Sequence, residues 1–291
     1  MRRVAQQAIV FSSIFIAMAC REKERKPAPQ GPMATASATA SASPVPSPAA
    51  RRKPKKPEKE ERPKADPGCR VEMARVGNFC IDRWEVHLVD RKSGERHPEN
   101  ISPTREIHRL KAVSLPDVYP QGHMSQLVAR EACKNAGKRL CRQKEWERAC
   151  SGPGKRRFPY GREKDLTVCN VNKRNPYILD KLFPDIPHMK RSGREFNHPD
   201  VLLEPGYLST TGGFESCRTP EGVFDMDGNL SEWVEETKGE NGVFKGDPFS
   251  GAGKSGCFRT VGGHAQKYLD YSLGTRCCTN TARGTSPAPR E

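Results

Sequence analysis

The nine residues DMDGNLSEW, 225–233, set three acids, a glycine and an asparagine directly before a tryptophan. A short turn that alternates carboxylates with backbone carbonyls can wrap a hard cation. The same residues could instead form an acidic turn, with Asn229 bonding its own backbone and Trp233 serving the core. The stretch is not an EF-hand loop. Gly228 stands fourth from Asp225, where that loop needs its glycine sixth and its glutamate twelfth. Which reading holds depends on what surrounds it.

The surroundings divide sharply. All three tryptophans, Trp84, Trp146 and Trp233, lie beyond residue 66, and residues 21–66 hold almost no large apolar side chain. Segment 21–66 runs from REKERK through ATASATASASPVPSPAA to RRKPKKPEKEERPK. It cannot bury enough surface to offset chain entropy, and it reads as a disordered tether. Such a tether would span roughly 40 Å as a flexible coil and up to about 140 Å if proline stiffens it. The net charge is +15, and about half of it falls in this segment and at Arg2 and Arg3. The tail 283–291, RGTSPAPRE, reads as frayed.

The first twenty residues, MRRVAQQAIVFSSIFIAMAC, place two arginines before the apolar run Ala8–Ala19. That run is short for a membrane span and charge follows it at once, so it reads as a secretion signal. Its ending, Ala17-Met18-Ala19-Cys20, resembles a bacterial lipobox, with Ala where Leu is usual at the first position. The resemblance implies acylation at Cys20 and a lipid anchor in the bacterial cell envelope, facing the periplasm or the exterior. Acyl chains contribute about 0.8 kcal/mol per buried CH₂. Export makes nucleic acid an unsuitable partner. The positive charge is instead expected to face the membrane, or a protein or envelope polymer of anionic character.

Ten cysteines remain after Cys20, an even set that in an exported chain reads as disulfides. No CxxC pair supports zinc. Cys69 and Cys80 are eleven residues apart along an extended segment, which suggests a local bridge. The pairing of Cys141, Cys150, Cys169, Cys217, Cys257 and Cys278 is not legible.

One domain is expected over 67–282. NFCIDRWEVHLV, 78–89, reads as one strand. SQLVAREACKNAG, 125–137, reads as a helix capped by Ser125 and stopped by Gly137, with Leu127, Val128, Ala132 and Cys133 on its buried face. RQKEWERAC, 142–150, reads as a second helix burying Trp146, Ala149 and Cys150. The glycine-rich stretch 239–263 excludes a long helix.

Four segments then occur in order: FCIDRWEV (79–86), AREACKNAGKRLCRQKEWERAC (129–150), PEGVFDMDGNLSEWVEE (220–236), and FRTVGG (258–263) with LGTRCC (273–278). Together they resemble the formylglycine-generating-enzyme (sulfatase-modifying factor) family. The resemblance implies an α+β, irregular C-type-lectin-like fold, here disulfide-stabilised behind a disordered N-terminal tether. It also implies a structural calcium held by the side chains of Asp225 and Glu232 and the carbonyls of Gly228 and Leu230. A second cation would use Asn170 and the Val171 carbonyl, with Asp180 and Asp185 as candidate acids. Asp227 falls at a variable family position and is expected to face solvent. The cysteine of the family's ending, here Cys277, would pair with Cys133.

The family oxidises a sulfatase cysteine to formylglycine with O₂ and a Cu(I) held by two cysteines, the soft ligands that ion selects. Counting on from Gly263 places those positions near Lys267 and Ser272, and neither is cysteine. Copper is therefore not expected, and no catalytic residue is assigned. Seven histidines, His87, His97, His108, His123, His188, His198 and His264, form no HxH or HxxxH pair. The reading is a membrane-anchored lipoprotein whose domain binds or scaffolds without catalysis. The alternatives are a superfamily enzyme using another site, or an envelope structural protein whose basic tether threads anionic polymer.

Overall fold

Among the described residues, short runs of β-branched and aromatic residues, interrupted every few positions by glycine, proline or asparagine, give ten short strands and five short α-helices. In this computed structural model the described residues are 64–281. Cys20, the signal segment, the tether through residue 63 and the tail from 282 lie outside them.

In chain order the strands are β1 (Met73–Val76), β2 (Phe79–Asp82), β3 (Val86–Asp90), β4 (Leu110–Ser114) and β5 (Arg139–Leu140). They continue with β6 (Ser231–Lys238), β7 (Asn241–Lys245), β8 (Thr260–Ala265), β9 (Leu273–Thr275) and β10 (Cys277–Asn280). The helices are α1 (Gln126–Asn135), α2 (Gln143–Ser151), α3 (Ile178–Leu182), α4 (Gly193–Phe196) and α5 (Asp200–Leu203). One sheet orders its strands β1-β2-β10-β5, all antiparallel, and a second is the pair β3-β4. The third orders β8-β7-β6-β9, with only β6 and β9 parallel. The chain passes from the third sheet to the first at a single residue, Arg276, between β9 and β10.

The stretch 78–89, expected as one strand, is two. β2 ends at Asp82 and β3 begins at Val86. The break sends Glu85 into the interior, while the Trp84 amide donates to the Ser114 hydroxyl at 3.1 Å. The two expected helices form, and the Ser125 hydroxyl accepts from the Val128 amide at the start of α1. The buried face of α1 is shifted from the one expected. Leu127 is 49% exposed, and Gln126 is buried instead. Its amide donates to the Val234 and Glu236 carbonyls at 2.7 and 2.8 Å. A polar side chain with two strand carbonyls to satisfy displaces an apolar one that has no partner. The glycine-rich stretch holds β7 and β8.

Two clusters form most of the core. One gathers Ile81, Trp146, Val234 and Val243 between α2 and the sheets; the other gathers Leu88, Val128, Trp233 and Phe244 around α1. A third cluster joins the short helices α3 and α5 to Phe249 and Tyr271. Five disulfides tie these parts: Cys69–Cys80, Cys133–Cys277, Cys141–Cys278, Cys150–Cys257 and Cys169–Cys217. Four of them close loops of 48 residues or more. Loops of that length typically give bridges worth about 2–4 kcal/mol each.

β3 also carries His87, which is buried with its Nδ1 unpartnered. Burial first, and then the charge of Arg96, lowers this imidazole to about 4. An unfolded histidine titrates near 6.5, so folding excludes a proton. His87 therefore costs no stability above about pH 6.5, and stability falls as pH drops toward 4. A urea titration series should show the loss, amounting to roughly 3 kcal/mol at the acid end, and His87→Leu should remove that part of it.

Candidate functional site

The loop 225–230 turns because three of its residues adopt left-handed backbone: Asp225 (φ 56°), Gly228 (φ 96°) and Asn229 (φ 58°). Gly228 is required twice over, since a Cβ there would lie 2.6 Å from the Asn170 carbonyl oxygen. The turn aims its side chains inward. Asp225, Asp227, Asn229 and Glu232 are all buried.

Glu232 is the centre of this arrangement. Its Oε2 accepts from Arg276 Nε and from the Trp146 indole N–H, each at 2.7 Å, and its Oε1 accepts from Arg276 Nη2 at 2.7 Å. Arg276 donates further to the carbonyls of Asp82 (3.0 Å) and Phe224 (2.9 Å). Both charged groups are buried and bidentate, the geometry in which such a pair is strongest.

Two more carboxyls face the same guanidinium. Glu85 accepts from the Leu230 amide at 2.9 Å and from the Asn229 side chain at 2.6 Å. Asp225 accepts from the Gly212 amide at 2.7 Å. Three acids and one base share this interior. Burial, then the charges of Asp225 and Glu232, push the Glu85 carboxyl well above its ordinary range. Burial likewise raises Asp225 to about 7, against the Gly212 hydrogen bond and the charge of Arg276.

The calcium set implied by the resemblance can be tested against this geometry. Asp225, Gly228, Leu230 and Glu232 do lie in one turn, but both oxygens of Glu232 are taken by Arg276 and Trp146. Glu232 in this state does not fit as a calcium ligand, because turning it to a cation would strand a buried guanidinium. Asn170 packs against the same loop. Its carbonyl accepts from the Asn229 amide at 2.9 Å, and its side chain donates to Tyr207 O at 2.8 Å and Asn229 Oδ1 at 2.9 Å. Val171 packs with Cys169 and Cys217. Asp180 is exposed and paired with Arg191, and Asp185 is exposed. Asp227, expected at the surface, is buried instead, because the loop folds its side chain toward Asp247. Among the described residues no three His, Cys, Asp or Glu side chains converge as a metal-holding group.

The positions expected for copper are equally plain. Lys267 is exposed, and the Ser272 hydroxyl donates to Asp270 at 2.7 Å. All ten cysteines of the described residues are in disulfides. These residues do not fit a cuprous ion. The segment between Gly263 and Leu273 holds instead an aromatic stack, His264 on Tyr268 at 4.2 Å and tilted toward Phe244 at 5.7 Å. The Tyr268 hydroxyl is fixed on Asp270 at 2.7 Å. Glu85, Arg276 and Asp247 escaped the sequence reading. The one signal for Glu85 was a carboxylate set between Trp84 and Val86 in a stretch read as a strand.

The domain that carries this loop belongs to a recognised class. The chain matches the family model described as sulfatase-modifying factor enzyme 1-like domain over residues 58–285. It belongs to that family, the one that includes formylglycine-generating enzymes. No curated protein matches it. Among solved structures it is similar to PvdO from Pseudomonas aeruginosa, with 16% identity, 69% of this chain and 80% of that chain covered, and a TM-score of 0.41. CarF gives 13% identity, 70% and 87% coverage, and a TM-score of 0.41. Treponema denticola variable protein 1 gives 9% identity, 72% and 98% coverage, and a TM-score of 0.42.

The buried pair makes a direct prediction. Arg276→Met should cost about 3–5 kcal/mol in chemical denaturation, since it strands Glu232 beside two further acids. Adding Glu232→Gln to that variant should recover part of the loss, and a double-mutant cycle measures how much.

Proposed function

We propose that this chain is a membrane-anchored bacterial lipoprotein whose sulfatase-modifying-factor-like domain binds or scaffolds and does not oxidise. One observation supports this most strongly: every cysteine of the described residues is committed to a disulfide, and Lys267 and Ser272 stand where the family's copper thiols belong. A disulfide sulfur is not the thiolate that grips a soft metal. The stacked His264 and Tyr268, both half-buried and with the Tyr268 hydroxyl held on Asp270, occupy that region instead. That chemistry suits recognition of a ligand rather than activation of oxygen.

The anchor at Cys20 and the basic tether support placement in the cell envelope, with the domain facing the periplasm or exterior. The five disulfides agree with an oxidising compartment. The partner would be a protein or an envelope polymer of anionic character, as the tether's charge favours.

Three measurements test the reading. The purified full chain, loaded with Cu(I) under reducing then aerobic conditions, should retain no stoichiometric copper. It should consume no O₂ with a Cys-X-Pro-X-Arg peptide and leave that peptide's mass unchanged. Conversion of the cysteine to an aldehyde would overturn the non-catalytic assignment, and unlabelled product after growth with radioactive palmitate would overturn the anchor.

A further inference from the structure

Asp227 and Asp247 form a second acidic pair, distinct from the Glu232 centre. Asp227 is 2% exposed and Asp247 5%. The Gly228 amide donates to the Asp247 carbonyl at 2.9 Å, which fixes the loop holding one acid against the residue carrying the other. The Asp247 charge bears on the Asp227 carboxyl, which places the two acids close together. Asp247 Oδ1 meets Arg259 Nε at 3.1 Å, and Gly251 packs so closely on it that a Cβ there would lie 2.7 Å from that oxygen. One oxygen on each side remains without any partner: Asp227 Oδ1 and Asp247 Oδ2.

Two buried carboxylates thus face one guanidinium, and each keeps a bare acceptor. Buried charged acceptors are costly unless something neutralises them. The available donors are oxygens, with no thiolate or imidazole among them, and this set selects a hard cation over a soft one. The glycine-rich turn 250–256 that closes over Asp247 imposes no regular geometry, a freedom that suits calcium better than magnesium.

We infer that Asp227 Oδ1 and Asp247 Oδ2 bind a calcium ion, at a site separate from the Asp225–Glu232 set that the family resemblance implies. The remaining coordination comes from backbone carbonyls and water, as is usual for this ion. The site ties the 225–230 loop to the end of β7 and so acts as a clasp across the middle of the domain.

Terbium serves as the probe, since it replaces calcium and is excited through nearby aromatic rings. Trp146 lies against Gly246, where a Cβ would sit 3.3 Å from its ring, and the Asp227 charge reaches the Tyr160 phenol. The full chain should give sensitised terbium emission that calcium displaces, and calcium should raise its thermal midpoint. Asp227→Asn and Asp247→Asn should each weaken terbium binding by tenfold or more, while Asp225→Asn leaves it within a factor of about two. Circular dichroism checks that each variant is folded. Should one of them fail to fold, the other, read against Asp225→Asn, still assigns the ion. Absence of emission and of any calcium shift would overturn the site. Emission lost in Asp225→Asn but kept in the other two variants would place the ion on the family set and overturn it equally. Neither result bears on the copper and peptide measurements.

Discussion

The contact between Glu232 and Arg276 sets the terms for the rest of this domain. Arg276 is the single residue between β9 and β10, and hence the point where two sheets meet. Its guanidinium reaches the strand end at Asp82, the carbonyl of Phe224 and the carboxylate of Glu232, second residue of β6. Trp146 adds α2 to the same carboxylate. A charged pair so deeply placed does not by itself raise stability much, because desolvation offsets its attraction. What it does is fix register. A slip of any one element would leave a full charge buried without a partner, so alternative packings are excluded more than the correct one is favoured.

The loop 225–230 is shaped by the same constraint. Its left-handed turns place Asp225 and Asn229 beside Glu85, and Glu85 can come there only because the expected strand 78–89 breaks before it. The surplus of acid over base is then absorbed in two ways. Hydrogen-bond donors from Gly212, Leu230 and Asn229 satisfy individual oxygens, and burial shifts Glu85 and Asp225 toward their neutral forms. The Gly263–Leu273 segment carries its own aromatic and Asp270 contacts, and it meets this interior at its end, where the Ser231 amide donates to the Ser272 carbonyl at 2.8 Å.

Much of the architecture could be read from residues. The ordered motifs identify the family, the amphipathic spacing and the Ser125 cap mark α1, and Trp146 marks α2. The connectivity of Cys141, Cys150, Cys169 and their partners could not be read, because bridges across more than forty residues depend on how sheets stack rather than on local pattern. Leu127 misled for a related reason: helical spacing cannot foresee that Gln126 will find two strand carbonyls to bond. Asp227 was misplaced because a variable position in a turn looks solvent-facing until the segment that covers it, here the chain around Asp247, is known. The acids of the centre were visible as Asp225 and Glu232, but their partner Arg276 is more than forty residues away and no spacing rule connects them.

The Cys69–Cys80 bridge joins the entry of the domain, just before β1, to β2. Asp66 is bound to Arg83, and Arg70 reaches the carbonyls that end α1. Tension applied through the N-terminal end would therefore meet a covalent stop almost immediately, loading the central strand in shear. A domain held in this way can be pulled at its N-terminal end without β1 peeling off, because the load bypasses that strand and enters at β2.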